Sequence, residues 1–151
     1  MRRWTIALRV SCTSRCGIHS HVYETGTALT VTAFHVMPGM PPPEGERHSH
    51  DYRLDVVVRR DDLDERGMVV DLDVLAGALR DAAARVDGVD LEGVLPPDAQ
   101  PVTVEMFARW VHGQLATSLG RLPGATLAIR VWESPYAFGG YTADLDGTSS
   151  S

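Results

Sequence analysis

His48 and His50 stand two residues apart in the run His48-Ser49-His50-Asp51-Tyr52. On a β-strand, side chains two apart leave the same face, about 7 Å apart along the strand. His35 closes an earlier alternating segment. A hairpin joining the two segments brings its imidazole opposite or near His48. Three imidazoles without a fourth protein ligand form an open Zn2+ site, the kind that does chemistry rather than the closed structural kind. An isolated H-x-H is more often a pair of ordinary half-buried strand residues; His35 across the same loop tips the reading to a metal. A second group, Cys12, Cys16, His19 and His21, offers four N/S ligands. Its spacing is tighter than zinc-finger patterns, so residues 1–26 read as an N-terminal extension, disordered or translated from a misplaced start.

The elements that must position the triad follow from periodicity. Residues 27–36 alternate as a strand, with Leu29, Val31, Ala33 and His35 on one face. Residues 37–47, rich in Pro and Gly, form a loop that carries Glu44 and Glu46. Residues 48–59 form the strongest strand; His48, His50, Tyr52, Leu54, Val56 and Val58 share one face. Residues 60–67 are a charged turn, and Met68 to Leu72 are a possible further short strand. Leu75, Leu79, Ala82 and Val86 recur at helical spacing behind Asp73 as an expected N-cap. Thr103 caps a second helix with Glu105 in its first turn, and Phe107, Val111, Leu115 and Leu119 form its apolar stripe. Residues 126–133 are a strand with Leu127, Ile129, Val131 and Glu133 on one face. Gly139-Gly140 is expected to break the chain before a last short strand over Tyr141–Leu145. Residues 146–151 read as a disordered tail. The order strand, strand, helix, helix, strand, strand predicts an α+β domain over 27–145, an antiparallel sheet covered by two helices on one face.

Composition narrows the function classes. The 151 residues carry a net charge of −6, which disfavours general binding to nucleic acid or to anionic membrane. All 14 basic residues are Arg. Without Lys there is no Schiff-base or phosphate-loop lysine. No apolar run is long enough for a membrane span, and Arg9 interrupts the one stretch resembling a secretion signal, so a cytoplasmic protein is expected.

Five pieces in consistent order resemble the pyruvoyl-tetrahydropterin synthase family, which includes the 6-carboxy-5,6,7,8-tetrahydropterin synthases of queuosine biosynthesis. They are His35 at a strand end, His48-Ser49-His50-Asp51-Tyr52, Gly67-Met68-Val69-Val70-Asp71, Thr103-Val104-Glu105 and Trp132-Glu133. The resemblance implies the tunnelling fold (T-fold), a four-stranded antiparallel sheet with two helices, assembled into trimers that close into larger rings. It implies His35, His48 and His50 as zinc ligands and Glu133 as the anchor of a pterin's amino-pyrimidine edge. It places Thr103 and Glu105 at the pocket and subunit interface. The implied activity is a zinc-dependent lyase acting on the side chain of 7,8-dihydroneopterin triphosphate.

The departures are specific. The family's catalytic Cys, four residues before the first His of the pair, is Glu44 here. The His of its Asp-His proton relay falls at Gly88, behind Asp87. Glu44 or Glu46 is the candidate replacement base, Asp87 or Asp90 a weaker substitute relay, and Arg47, Arg53, Arg59 and Arg60 candidates for the triphosphate. Two alternatives remain: a pterin- or purine-binding member that has lost catalysis, and a small cupin-type metal protein. The two helices argue against the cupin.

Overall fold

The computed structural model describes residues 21–146. The chain runs β1 (Tyr23–His35), β2 (His48–Arg60), α1 (Leu72–Ala84), α2 (Val104–Leu119), β3 (Thr126–Trp132) and β4 (Phe138–Asp144). The sheet order is β1-β2-β3-β4 with every neighbouring pair antiparallel. This is the expected α+β architecture, and one sheet face carries both helices.

Alternation decides that face. Val31 and Ala33 on β1, Tyr52, Leu54, Val56 and Val58 on β2, and Leu127, Ile129 and Val131 on β3 are all buried. They meet Leu75 and Leu79 of α1 and Phe107, Val111 and Leu115 of α2 in one core. Each such aliphatic or aromatic side chain, fully buried, contributes roughly 1.5–3 kcal/mol by transfer from water. The opposite face is polar, with Asp51, Arg53 and Arg130 exposed.

Several local expectations are corrected. β1 starts at Tyr23, ahead of residue 27, because Thr25 and Thr27 continue its pairing with Val58 and Val56. Met68–Leu72 is not a strand. The Asp64 carboxylate accepts from the Arg66 and Met68 N–H groups and winds this segment into a turn. The N-cap of α1 is Asp71, not Asp73: its side chain accepts from the N–H of Asp73 and of Val74. Thr103 does cap α2, accepting from Met106 N–H at 3.3 Å. Gly139 and Gly140 lie inside β4 instead of breaking it. A Cβ on Gly139 would run into Val104 and Glu105, so the glycine is what lets β4 pass under the start of α2. Cys12, Cys16, His19 and residues 147–151 lie outside the described residues; His21 is described and exposed.

Candidate metal centre

The β1–β2 register places His35 directly opposite His48, and the strand period brings His50 to the same face. One ring nitrogen from each of the three lies within 4.8 Å of the others. Ring centroids are 4.4 Å apart for His35 and His48, 5.3 Å for His35 and His50, and 4.8 Å for His48 and His50. Among the described residues no other His, Cys, Asp or Glu joins this group, so its ligand set is three imidazoles.

Backbone carbonyls fix the tautomers. His35 Nδ1 lies 3.2 Å from the Val102 carbonyl, and His48 Nδ1 lies 2.8 Å from the Glu46 carbonyl. A carbonyl only accepts, so each Nδ1 carries the proton and each Nε2 keeps a lone pair. His35 Nε2 is buried and has no hydrogen-bond partner. His48 Nε2 lies 3.0 Å from His50 Nε2. An orphaned lone pair beside two further imidazole nitrogens, with the far nitrogens of His35 and His48 tied to carbonyls, is an arrangement metal-bound histidines adopt. Burial pushes the His35 imidazolium below its ordinary range; the Val102 carbonyl opposes this, and His48 and His50 reinforce it. His35 is therefore neutral near pH 7, as a ligand must be.

Two segments position these rings. The Val102 carbonyl comes from the residue before the α2 cap, so the helix start holds β1's last side chain. The 37–47 loop is wound by Met37 N–H to the Glu44 carbonyl, Gly45 N–H to Pro41 and Glu46 N–H to Pro43. A Cβ on Gly45 would strike the Met40 carbonyl, which makes glycine obligatory at that turn. The Glu44 and Glu46 side chains are exposed and are not part of the group at the triad.

Glu133 follows the last residue of β3 and is half-buried. It lies one residue beyond the Arg53–Trp132 pair that ends the β2–β3 ladder, where its N–H donates to the Ala137 carbonyl. Burial pushes the Tyr52 phenol up, and the nearby carboxylates of Glu133 and Glu92 add to the effect. Glu133 also borders a cleft of about 570 Å³ with Asp51, Arg53, Asp55, Trp132 and Ser134. Thr103 is engaged in its cap, and Glu105 is exposed against Gly139.

The remaining sequence candidates have other partners. Arg47 pairs with Asp90, Arg53 with Asp55 and Arg59 with Glu24, while Arg60 reaches the Val69 carbonyl. Asp87 accepts from Thr32 N–H. Sequence reasoning missed the Val102 carbonyl and Glu92, whose carboxylate accepts from Val36 N–H beside His35. Neither has a sequence signal, because both act through backbone groups.

Three histidines that could hold a metal ion thus sit on the helix-covered face of a four-stranded antiparallel sheet. The family model "6-pyruvoyl tetrahydropterin synthase" matches residues 26–144, and the chain belongs to that family. Solved structures agree in fold. The Caenorhabditis elegans 6-pyruvoyl tetrahydropterin synthase is 18% identical with a TM-score of 0.64, over 82% of this chain and 97% of that one. The Plasmodium vivax enzyme is 14% identical with a TM-score of 0.63, over 82% and 99%. A variant of the Plasmodium vivax enzyme, in which a glutamate described as a catalytic residue is replaced by alanine, matches at 14% identity and a TM-score of 0.62, over 82% and 99%. No curated protein matches the chain by sequence. The fold is thus the T-fold of these synthases.

Proposed function

We propose that this chain is a zinc-dependent pterin lyase of the 6-carboxy-5,6,7,8-tetrahydropterin synthase type, acting on the side chain of 7,8-dihydroneopterin triphosphate. The observation that carries the reading is the buried, partnerless Nε2 of His35 facing His48 and His50. Bound there, zinc would supply Lewis-acid polarisation of substrate oxygens. The chain's own residues do the rest. Glu133 presents two acceptor oxygens to adjacent N–H donors of the amino-pyrimidine edge. Thr103 and Glu105 define the α2 start, whose Val102 carbonyl orients His35.

The proton acceptor is a carboxylate from the 37–47 loop, Glu44 or Glu46. Substrate covering the loop would desolvate that carboxylate and strengthen it as a base. A glutamate is described as catalytic in the Plasmodium vivax enzyme, which supports a carboxylate in place of the family Cys. The test is mass spectrometry of zinc-loaded protein with 7,8-dihydroneopterin triphosphate. A 6-carboxy, 6-hydroxymethyl or 6-pyruvoyl product supports a lyase, and Glu44→Gln or Glu46→Gln then lowers kcat by about 10²–10⁴-fold. Full activity in both variants overturns the base assignment. Gly88, in the place of the relay histidine, favours a second reading in which the chain binds a pterin or purine without turnover. Substrate binding with no consumption would select it.

The assembly proposed is a homo-oligomer, a trimer or a hexamer of paired trimers. β1 and β4 are both edge strands. The outer edge of β1 is covered from Thr32 to Val36 by residues 87–92. Among the described residues nothing pairs with that edge over 23–30, and β4 offers a free edge over 138–144. Two free edges of similar length on opposite sides of one sheet suit a closed ring of head-to-tail copies.

A further inference from the structure

Residues 87–92 form a strap along the outer edge of β1. Thr32 N–H donates to Asp87 at 3.0 Å, Gly88 N–H to the Thr32 carbonyl at 2.6 Å, and Phe34 N–H to the Val89 carbonyl at 2.9 Å. The last rung differs in kind. Val36 N–H, one residue past His35, donates at 2.9 Å to the half-buried carboxylate of Glu92. The strap's other acids stand differently: Asp90 is paired with the forked Arg47, and Asp87, which accepts from Thr32 N–H, is exposed to solvent. Among the described residues Glu92 forms no ion pair with any arginine. The buried Leu91 anchors the 3-10 turn that carries it.

We infer that Glu92 is a positioning residue for the metal centre: it pins the end of β1 through Val36 N–H and supplies the negative charge that complements a divalent cation held by three neutral imidazoles. This rests on the metal-centre reading above. The carboxylate sits beside the triad by geometry, since the N–H it accepts from belongs to the residue that directly follows His35. It is not a ligand, because it lies outside the group whose atoms converge. A half-buried carboxylate with one backbone donor and no directly paired cation, the nearby Arg47 being forked onto Asp90, is incompletely compensated. A dication at the triad would supply the missing balance, and the carboxylate would return the favour without occupying a coordination position.

The experiment compares wild type with Glu92→Gln, Glu92→Asp and Glu92→Ala. Zn2+ affinity is measured by competition with a chromophoric chelator, and melting of the metal-free protein by calorimetry. Gln keeps an acceptor for Val36 N–H and loses the charge; Asp keeps the charge and loses reach. The inference expects Zn2+ affinity to fall about tenfold in Glu92→Gln, in the range of outer partners of metal sites. Glu92→Asp should retain more affinity than Glu92→Gln, and the Gln deficit should shrink as salt screens the charge. A purely structural carboxylate gives the opposite order, Gln above Asp, tracking the melting temperature. That order, or wild-type affinity in Glu92→Gln, overturns this inference alone. Wild-type protein that binds no Zn2+ overturns the metal centre and this inference with it.

Discussion

On the proposed function, the imidazoles of His35, His48 and His50 carry the chemistry at the scale of single residues. His48→Ala removes one of three ligands and should abolish stoichiometric zinc, read by elemental analysis, with the sheet intact by circular dichroism. The pH dependence follows from burial. His35 and His112 are both pushed below the ordinary value of 6.5 by desolvation, each opposed by a carbonyl, Val102 for His35 and Ala143 for His112. The unfolded chain takes up these protons near pH 6.5 and the native protein only at lower pH. In that window the unfolded state holds more protons, so stability rises with pH. Melting of the metal-free protein should therefore drop on going from about pH 7.5 to about 5.5. A flat profile contradicts neutral burial. Much of this site was legible in the sequence. An H-x-H on an unbroken alternating strand has only one way to point, and the loop's two ends had to meet. Glu92 was illegible because its role depends on a strap lying beside β1, a contact 56 residues distant in sequence.

Secondary elements act here as holders of those rings, and Gly139 shows it. Gly139→Ala would press a methyl into Val104 and Glu105 at the start of α2. The expected loss is about 1–3 kcal/mol in denaturant unfolding, the usual range for overpacking. Because α2 begins beside the Val102 carbonyl, the same change should also weaken zinc binding. Unchanged stability would show that β4 and α2 are not in register as described. Thr103→Ala removes the α2 cap and should cost about 0.5–2 kcal/mol. The long strands were legible from alternation and the helices from their apolar spacing. The errors fell where side-chain hydrogen bonds overrode pattern: Asp64 turned an apolar run into a loop, and Asp71 displaced Asp73 as cap. Gly139-Gly140 misled because paired glycines usually break strands, whereas here Gly139 relieves close approach to α2 and Gly140 close approach to the Ile129 carbonyl of β3.

At the scale of the whole molecule the open question is closure. One face of the sheet is covered by helices; among the described residues its two outer edges are not fully paired. Thr32, Phe34 and Val36 direct their N–H groups outward, so the period of two predicts the same for Ala28. Ala28→Pro removes one outward donor while sparing the ladder to β2. It should shift the particle from oligomer to monomer by light scattering, and an unchanged mass would remove this edge from the interface. No helix among the described residues is long and apolar enough to cross a membrane. Edge exposure could not be read from the sequence, because strand order is fixed only when helices and strap have chosen their sides.

X-ray absorption at the zinc edge of the purified protein tests most directly the proposal that His35, His48 and His50 hold a metal. The proposal predicts three imidazole nitrogens at about 2.0–2.1 Å and no sulfur. A sulfur shell at about 2.3 Å would place the metal at Cys12 and Cys16 instead, and a protein that retains no zinc would contradict the centre altogether.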